Sequence, residues 1–356
     1  MDTARAGCAI APDELGGFVA ALLGAAGAPA AHAGAVADAL VEAELQGLAS
    51  HGVMLLPLYL RRIAAGSVDP TATGVIVSER AGALVMDARN GFGQVTAAHA
   101  LSLAVARARI NGLAAVSVRD GFHFGAAGRW AAAMAREGCI GIATCNTRPL
   151  MPPPGGAARV VGNNPLAIAA PGGPDGDPVV VDFALSEAAM GKIRLAEEAG
   201  IAIPPNWATD AAGTPTTNPT EAIAGMLLPA GGAKGFGLAL MLDILSGGLS
   251  AGALGGQVGA LYGDPAVPYR CAHFFLAIDV ASFRDRADFG AAVAGLLRGV
   301  RASPAVEPGA SVRVPGEGAR ARQRAATMCQ LPAGTAAALR DSAAALGCVV
   351  PTALSP

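Results

Sequence analysis

The 356-residue sequence has little charge and few aromatic side chains: charged residues make up 15% of it, aromatic residues make up 4%, and the formal net charge is −2. Binding to nucleic acid or to an anionic membrane usually requires an excess of basic residues, and a net charge of −2 provides no such excess. Hydrophobic residues make up 53%. Such a composition excludes a disordered chain and leaves little polar surface to spare, which favours burial in an oligomer.

Cysteine pairs, metal motifs and long apolar runs are also missing. The six cysteines are scattered without a C-x-x-C pair or a zinc-like spacing, and we interpret them as reduced thiols. No H-E-x-x-H motif occurs and the five histidines are dispersed, which gives no case for a metal. The N-terminus lacks the pattern of a signal peptide, and no segment resembles a bilayer span of about 20 strongly apolar residues. We therefore expect a cytoplasmic protein.

The usual nucleotide-binding motifs are absent as well. No G-x-G-x-x-G lies between a predicted strand and a predicted helix, and no G-x-x-x-x-G-K-[ST] occurs, so neither a Rossmann domain nor a P-loop is supported. Three glycine-flanked loops do precede predicted helices, at residues 121–125, 162–165 and 231–237. Backbone amides at such helix starts suit phosphate or carboxylate oxygens.

Lysine is nearly absent: 23 of the 25 basic residues are arginine, and the lysines are Lys192 and Lys234. A chain biased so strongly toward arginine keeps lysine where a compact ammonium is needed, or by chance. Both lysines lie beside a glycine, and Lys234 falls within the third glycine-flanked loop. An ammonium at that place would complement a phosphate.

Hydrophobic periodicity and turn signals predict helices and strands that alternate along the chain. Helices are expected near residues 12–23, 30–48, 57–66, 96–111, 126–136, 185–198, 237–245, 288–301 and 333–347. Strands are expected within residues 74–88 and at 113–118, 140–145, 166–170, 179–183 and 271–278. Residues 204–220 are predicted as a surface loop and residues 315–324 as a polar region. This alternation indicates a mixed α/β class, or α+β.

Two histidines are candidates for acid–base chemistry, because an imidazole titrates near neutral pH. His51 lies between a serine and a glycine at the end of an Ala-rich helical run, and His123 follows a predicted buried strand. Each has an alternative as a hydrogen-bonded core histidine, and the same two alternatives stay open for His273. Asp182 ends an apolar strand, where a carboxylate either binds a ribose hydroxyl or caps a turn.

Seven segments spread over residues 12–325 form a recognisable set: Ser50-His51-Gly52-Val53 with Leu56-Pro57-Leu58-Tyr59, Asn90-Gly91-Phe92-Gly93-Gln94, His123-Phe124-Gly125-Ala126, Gly162-Asn163-Asn164-Pro165, Asp182-Phe183-Ala184 with Gly191-Lys192, Gly232-Ala233-Lys234-Gly235, and His273-Phe274-Phe275. Together and in this order they resemble the malate/L-lactate dehydrogenase-like family, also called the type-2 lactate dehydrogenases. That family includes malate, sulfolactate and ureidoglycolate dehydrogenases and the piperideine- and pyrroline-2-carboxylate reductases.

The resemblance implies a non-Rossmann NAD(P)-binding fold and hydride transfer between nicotinamide and a C=O or C=N carbon of a small-molecule substrate. It also implies a homodimer with the site at or near the subunit interface, and it leaves NAD and NADP undecided. By the same resemblance the catalytic residues are His123, His51 and Ser50, and Asn163 contacts the substrate. Cofactor binding is assigned to a set of three segments: His123, Phe124, Gly125, Asp182, Phe183, Ala184, Lys234 and Gly235.

Two positions depart from the family pattern. The family has an arginine three residues after the motif glycine that binds the substrate carboxylate, and this sequence has Leu55 there, which leaves the carboxylate without that partner. Either Arg148, the nearest candidate, replaces the arginine or the substrate is not a simple 2-oxo acid; Leu55→Arg is expected to raise activity on 2-oxo acids. Lys192 stands where the imine reductases tend to have aspartate, and it agrees with the hydroxyacid dehydrogenases.

The sequence therefore predicts an NAD(P)-dependent dehydrogenase or reductase for a ketone, a 2-oxo acid or a cyclic imine, with an altered carboxylate site at Leu55. Two alternatives remain: a reductase of a cyclic imine in a specialised pathway, and a catalytically silent relative that binds the cofactor.

We expect an N-terminal helical region at residues 1–70 carrying Ser50 and His51, an NAD(P)-binding and catalytic core at 71–310, and a C-terminal segment at 311–356 that packs back on the N-terminal region.

Overall fold

The computed structural model describes residues 7–172, 176–307 and 309–355. In chain order the strands are β1 (Cys8–Ile10), β2 (Val75–Arg80), β3 (Ala83–Asp87), β4 (Leu113–Gly121), β5 (Cys139–Cys145), β6 (Leu166–Ala170), β7 (Val179–Phe183), β8 (Ala208–Thr209), β9 (Met226–Leu227), β10 (Cys271–Asp279) and β11 (Cys329–Leu331). The helices are α1 (Pro12–Ala25), α2 (Ala30–Leu45), α3 (Leu56–Ala64), α4 (Gly93–Asn111), α5 (Ala127–Arg136), α6 (Met190–Ala199), α7 (Pro219–Ala224), α8 (Ala233–Asp243), α9 (Arg286–Arg301), α10 (Glu317–Ala325) and α11 (Ala333–Leu346). Among the helices so described, none combines the length and the hydropathy needed to cross a membrane.

Seven strands form one mixed sheet in the order β2-β3-β4-β10-β5-β6-β7. β3 and β4 run parallel and are joined through α4, whereas the other neighbouring pairs are antiparallel. A parallel pair needs a crossover of this kind, since a short turn cannot return the chain to the starting edge. The mixed α/β class predicted from the sequence is confirmed.

Helices α4 and α5 cover one face of this sheet. The α4 residues that meet it are small and fully buried, namely Ala97, Ala100, Ala104 and Ala108. Their spacing of three or four places them on one helix face. Alanine allows the helix to pack closely on the strands, and valines of β4 (Val116 and Val118) complete the contact within one hydrophobic cluster.

A second hydrophobic core joins the two ends of the chain. Helices α1, α2, α3 and α11 pack around it, and β1 pairs antiparallel with β11. The sequence patterns did not predict these two strands, because three residues are too few to show an alternating pattern. The base of this core holds Phe92 and Phe122, which adjoin the segment carrying His123.

Several elements differ from the sequence-based expectation, including the predicted surface loop 204–220, which contains β8 and the start of α7. The helix expected from residue 185 begins at Met190, because Leu185 and Ser186 are extended and bond to Asn163 and to the Pro229 segment. The polar region 315–324 is largely helix α10, which starts after Gly316 in the left-handed conformation (φ +83°). Helix α8 begins at Ala233, several residues before its predicted start.

Candidate active site

The turn that carries His51 is built on a half-buried carboxylate. Helix α2 ends at Leu45, a short helical turn spans Ala49–His51, and a second turn leads into α3. Glu44 accepts a hydrogen bond from the backbone amide of Val53 at 2.8 Å. The same carboxylate occupies the space that a Cβ on Gly52 would need. Glycine after His51 therefore lets the Glu44 carboxylate reach the backbone of the turn and fix the direction of the histidine.

His51 and His123 come together although they are 72 positions apart in the chain. Their ring centroids lie 5.6 Å apart, with the ring planes inclined at 32°. Ser50 Oγ lies 3.0 Å from Nδ1 of His51. The catalytic trio expected from the sequence is thus one cluster, with Ser50 exposed at its outer edge and both imidazoles half-buried.

A buried tyrosine and glutamine orient His123. Tyr59 Oη lies 2.8 Å from His123 Nδ1, and Gln94 Nε2 donates to Tyr59 Oη at 3.0 Å. Tyr59 and Gln94 are both fully buried. Burial raises the pKa of Tyr59, so its phenol stays protonated at neutral pH. Since Nδ1 faces Tyr59, the nitrogen of His123 left to exchange a proton with a substrate is Nε2.

Burial also holds the imidazoles neutral. It lowers the pKa of His123 to about 3, and the neighbouring His51 and His273 act in the same direction. It lowers the pKa of His51 as well. A neutral imidazole has a free lone pair, which suits it to accept a proton from a substrate hydroxyl group.

His273 lies behind the site rather than in it. The side chain is fully buried, stacks on Phe124 with ring centroids 4.6 Å apart, and places Nε2 3.2 Å from Sγ of Cys271. Of its two sequence-based alternatives, the geometry corresponds to a core histidine. Through Phe124 it supports the segment that presents His123.

The segments expected to bind the cofactor meet at the start of α5 and the end of β7. Asp182 Oδ2 accepts the backbone amide of Gly128 at 2.8 Å, which ties β7 to the first turn of α5, four residues after Phe124. A Cβ on Gly128 would lie 2.7 Å from that oxygen. Glycine is therefore what admits the carboxylate to the helix start. Phe183 and Ala184 follow directly, with Phe183 42% exposed.

The Lys234 loop adjoins the end of β7. Ser186 forms a β-bridge with Pro229, and the amide of Ala230 donates to Leu185 O at 2.9 Å. Lys234 is exposed in the first turn of α8, while Gly235 is buried against the carbonyl of Ala230. The structure thus brings residues 182–184 and 234–235 to one end of the sheet.

This arrangement fits a dinucleotide. Helix α8 begins after Gly232, where no described side chain caps the helix. Its first backbone amides are therefore available to anionic oxygens, and Lys234 adds a positive charge there. At the start of α5 the carboxylate of Asp182 already binds the amide of Gly128. Among the residues that the structure describes, no group of histidine, cysteine and carboxylate side chains has the arrangement of a metal site.

Asn163 and Arg148 lie on the other side of this junction. Leu185 donates its amide to Asn163 O at 2.7 Å, and Asn163 Oδ1 accepts from Thr147 Oγ1 at 3.0 Å. Arg148 follows Thr147 and is half-buried. Burial lowers the pKa of its guanidinium, which interacts electrostatically with Tyr269. The Tyr269 ring packs edge-on against Phe122, the residue before His123, with centroids 6.1 Å apart.

Leu55 is separate from this cluster of polar side chains. It is 1% exposed and belongs to the core formed by α1, α2, α3 and α11.

Three site residues went unassigned at the sequence level: Glu44, Tyr59 and Gln94. Tyr59 and Gln94 lie in two of the motif segments, and this position was the sequence signal that could have identified them. No sequence feature distinguishes Glu44 from the other polar residues of α2.

The chain has close similarity to proteins of known sequence and structure. The family described as malate/L-lactate dehydrogenase matches residues 10–339. The chain is 41% identical over 266 residues to a (2R)-3-sulfolactate dehydrogenase (NADP(+)) of Chromohalobacter salexigens, covering 74% of this chain and 79% of that protein. It is 37% identical over 249 residues to a delta(1)-pyrroline-2-carboxylate reductase of Burkholderia ambifaria, covering 70% and 73%. The solved sulfolactate dehydrogenase of Methanocaldococcus jannaschii superposes with a TM-score of 0.90 at 31% identity, covering 96% and 98%.

Proposed function

Because this chain belongs to the malate/L-lactate dehydrogenase family and is an NAD(P)-dependent oxidoreductase acting on a small molecule, we propose that His123 exchanges the substrate proton in its reaction. The observation that carries the proposal is the chain of hydrogen bonds from Gln94 through Tyr59 to Nδ1 of His123. It occupies Nδ1 and leaves Nε2 of His123 as the reactive nitrogen. His51, 5.6 Å away by ring centroid, forms the opposite wall with Ser50.

Tyr59 can support His123 both before and after proton transfer. With Gln94 donating to Oη, the phenol still has one proton and one lone pair. It donates to Nδ1 when the proton of the neutral ring lies on Nε2. It accepts from Nδ1 when that nitrogen is protonated, and its own proton then turns to the backbone oxygen of His123 at 3.5 Å. Nε2 is thereby able to gain or release a proton while the ring keeps its position.

The dinucleotide is proposed to lie along Asp182 to Ala184, the start of α5 and the start of α8. When bound, its nicotinamide supplies or takes up the hydride. His123, Phe124 and Gly125 border it at the reacting end, and Lys234 with Gly235 provides positive charge and backbone amides at the other helix start. His123 Nε2 exchanges the proton at the oxygen or nitrogen on the substrate carbon.

Arg148 is proposed to bind the substrate carboxylate in place of the family arginine. It is half-buried, it follows Thr147, whose hydroxyl donates to Asn163, and it forms no ion pair with a described carboxylate. A partly desolvated guanidinium without a counter-ion favours a bound carboxylate. This placement supports a 2-oxo or 2-hydroxy acid as the substrate class.

Lys192 favours the hydroxyacid reaction over reduction of a cyclic imine. It is exposed on the first turn of α6, where an aspartate would be needed for a relay through His51. We therefore rank the imine reductase second. A cytoplasmic location agrees with the composition and stays part of the proposal.

A homodimer is also proposed, through an apolar surface on α8 and the turn after it. This α8 surface is formed by side chains that are 39–57% exposed, namely Leu238, Leu240, Met241, Ile244 and Leu249. A contiguous apolar surface of this kind on a soluble enzyme marks a protein interface. It begins four residues after Lys234, so a partner subunit there would stand beside the cofactor segment.

We also propose that the chain divides into three parts, residues 1–70, 71–310 and 311–356, on the evidence of its hydrophobic clusters. Residues before 70 and after 328 share the core of α1, α2, α3 and α11, and the β1–β11 pair joins them. The large sheet with α4 and α5 has its own hydrophobic cluster.

The test is oxidation and reduction of nicotinamide cofactor by the purified protein with malate, sulfolactate, oxaloacetate and pyrroline-2-carboxylate. His123→Asn is expected to lower kcat by about 10²–10⁴ while cofactor binding, followed by fluorescence, persists. The matched control is His99→Asn, which removes a histidine of α4 whose hydrogen-bond partner among the described residues is Thr73 O. Full turnover by His123→Asn would reject the assignment, and cofactor binding without turnover of any substrate would point to the silent relative.

A further inference from the structure

The last residue of α8, Asp243, is a carboxylate that is 3% exposed. Among the described residues, no arginine, lysine or histidine forms an ion pair with it. Its partners are amides: Nδ2 of Asn146 donates to Oδ1 at 2.9 Å, and the backbone amide of Gly255 donates to Oδ2 at 3.2 Å. Burial raises the pKa of Asp243, and the hydrogen bonds from Asn146 and Gly255 oppose that rise. A carboxylate buried without a cation costs free energy, and this cost directs attention to the side chain that it holds, Asn146.

Asn146 requires an acceptor opposite its Nδ2. The side chain is fully buried, its Oδ1 accepts the backbone amide of Ala272 at 2.7 Å, and its Nδ2 also donates to Ala253 O at 2.8 Å. These two backbone groups fix which end of the amide carries the oxygen. A carboxylate accepts at both oxygens, so Asp243 can bind Asn146 with one and Gly255 with the other.

The backbone changes its geometry directly after the last residue of α8. Residues Ile244–Gly248 form a π-helical turn, a rare form that occurs mostly at functional sites. Gly247 of this turn lies against Asn146, because a Cβ there would be 3.0 Å from Nδ2. The amide of Gly252 donates to Gly247 O at 2.9 Å, which returns the chain so that Ala253 O reaches Asn146. The π-helical turn therefore completes the buried pocket of this asparagine.

The contacts of Asn146 continue into the segment that carries Arg148. Asn146 is the first residue after β5, and its backbone amide donates to β10 at 3.0 Å. The next amide, that of Thr147, donates to Oδ1 of Asn164 at 2.9 Å, and Nδ2 of Asn164 donates to a carbonyl of α8 at 2.9 Å. Helix α8 therefore holds the two residues that precede Arg148, the first through Asp243 and the second through Asn164.

The same contacts reach Asn163. Thr147 Oγ1 donates to Asn163 Oδ1 at 3.0 Å, and Asn163 adjoins Asn164 in the chain. Gly162 permits this close approach, because a Cβ there would overlap Thr147 Oγ1 and Asn164 Oδ1. Both residues expected to contact the substrate, Arg148 and Asn163, thus adjoin residues that α8 holds.

We infer that Asp243 is a positioning residue: through Asn146 it fixes the segment of Thr147 and Arg148 in the arrangement that binds the substrate carboxylate. The inference rests on the proposed function, because it acts through the Arg148 site. A binding side chain that is already ordered loses less conformational entropy when the ligand binds, so its support contributes to affinity. The loss of Asp243 is therefore expected to affect KM for the acid substrate more than kcat.

The test compares Asp243→Asn with Asp279→Asn in the full-length protein. Asp243→Asn keeps the shape of the side chain but leaves one of its two donors without an acceptor. KM for malate and for oxaloacetate should rise about tenfold, kcat should change by about threefold at most, and the dissociation constant of the nicotinamide cofactor should stay the same. The matched control Asp279 is 5% exposed at the end of β10 and binds Arg286 and Ser282. Its variant should lose stability without a change in KM.

A double-mutant cycle separates positioning from a general loss of packing. In the Arg148→Gln background, Asp243→Asn should raise KM by about twofold at most, because the side chain that Asp243 positions is gone. Multiplicative effects of the two substitutions on KM would overturn the inference. Where Asp243→Asn does not fold, Thr147→Val removes the hydroxyl bond to Asn163 with little change in volume. Its KM should rise about threefold to tenfold, and an unchanged KM would overturn the inference.

The outcomes also distinguish this inference from the function on which it rests. An unchanged KM in Asp243→Asn beside a raised KM in Arg148→Gln would overturn the role of Asp243 alone. An unchanged KM in Arg148→Gln would overturn the assignment of Arg148 and the role of Asp243 with it. Absence of turnover of malate and oxaloacetate by the wild type would instead contradict the proposed function.

Discussion

Tyr59 Oη stands 2.8 Å from Nδ1 of His123, and the two residues come from different halves of the site. Tyr59 belongs to α3 in the N-terminal helical core, whereas His123 follows β4 of the large sheet. The contact therefore couples the packing of the helical core to the orientation of the imidazole. Gln94, at the start of α4, completes the coupling by donating to the same oxygen.

Replacing Tyr59 with phenylalanine should lower kcat by about tenfold to a hundredfold with a small change in KM. The ring packing against Phe122 and Phe92 is retained, and the bond to Nδ1 is lost, which costs about 1.5–3 kcal/mol when the partner becomes charged. Steady-state kinetics in both directions measure the effect.

A separate readout distinguishes this role from a purely structural one. His123 would titrate without its partner, so the pH dependence of kcat/KM should shift in Tyr59→Phe. A variant with unchanged kcat and an unchanged pH profile would show that Tyr59 does not act through His123.

The sequence predicts the histidine pair and most of the strands because those features are local, whereas the cofactor segments are predicted through the family resemblance. His51 and His123 each stand out by their neighbours, and each strand has its own apolar pattern. The contacts that join elements could not be predicted in this way: Glu44 to the turn at Gly52, and Tyr59 to His123. Their partners lie 9 and 64 positions away, and only the tertiary packing brings them together.

Leu55 shows how burial alters a sequence-based expectation. From the motif alone, Leu55→Arg is expected to raise activity on 2-oxo acids. Because Leu55 is 1% exposed inside the helical core, we now expect Leu55→Arg to lower the free energy of unfolding, by about 2–4 kcal/mol for a buried unpaired charge. Chemical denaturation of Leu55→Arg measures this loss of free energy of unfolding, with Leu55→Met as the matched control. An arginine variant as stable as the methionine variant would mean that the guanidinium reaches the site.

Arg148→Gln should raise KM for a 2-oxo acid substrate about tenfold to a hundredfold, with kcat changed much less. The reason is that a charge-assisted bond to the carboxylate acts in substrate binding and in the transition state alike. The KM of Arg148→Lys should lie between the values for the wild type and Arg148→Gln. Arg80→Gln, on the exposed edge strand β2, is the control. Equal KM values for Arg148→Gln and the wild type would assign the carboxylate to another cation.

Stability should fall as the pH is lowered below about 6.5 because of His273. Burial lowers the pKa of His273 to about 3 in the folded protein, whereas an unfolded histidine titrates near 6.5. Between these values the unfolded state binds a proton that the folded state does not, so acid favours unfolding, by about 1.4 kcal/mol per pH unit from one such group. Above pH 6.5 the two states are equally neutral and the term vanishes.

The measurement is urea denaturation of wild type and His273→Gln at a series of pH values from 7 to 4. The variant should show a shallower loss of stability with falling pH, even where its stability at pH 7 is lower. His123 has the same direction of shift and leaves a residual slope. His99→Gln serves as the control. If the free energy of unfolding changed equally with pH in His273→Gln and the wild type, His273 would not be the group responsible for the acid sensitivity.

Met241→Glu should weaken the proposed homodimer. Met241 is 51% exposed at the centre of the α8 surface, flanked by Leu238 and Ile244 on the same helix face. A carboxylate buried there against a partner subunit would have no counter-ion, and we expect the dissociation constant of the dimer to rise about a hundredfold or more. Leu296→Glu on α9, where the native side chain is 69% exposed, is the matched control and should leave the assembly unchanged. Light scattering coupled to gel filtration across a dilution series measures both. The α8 surface lies next to Lys234, so the monomeric form of Met241→Glu should also bind cofactor more weakly; a variant that stays dimeric would place the interface elsewhere.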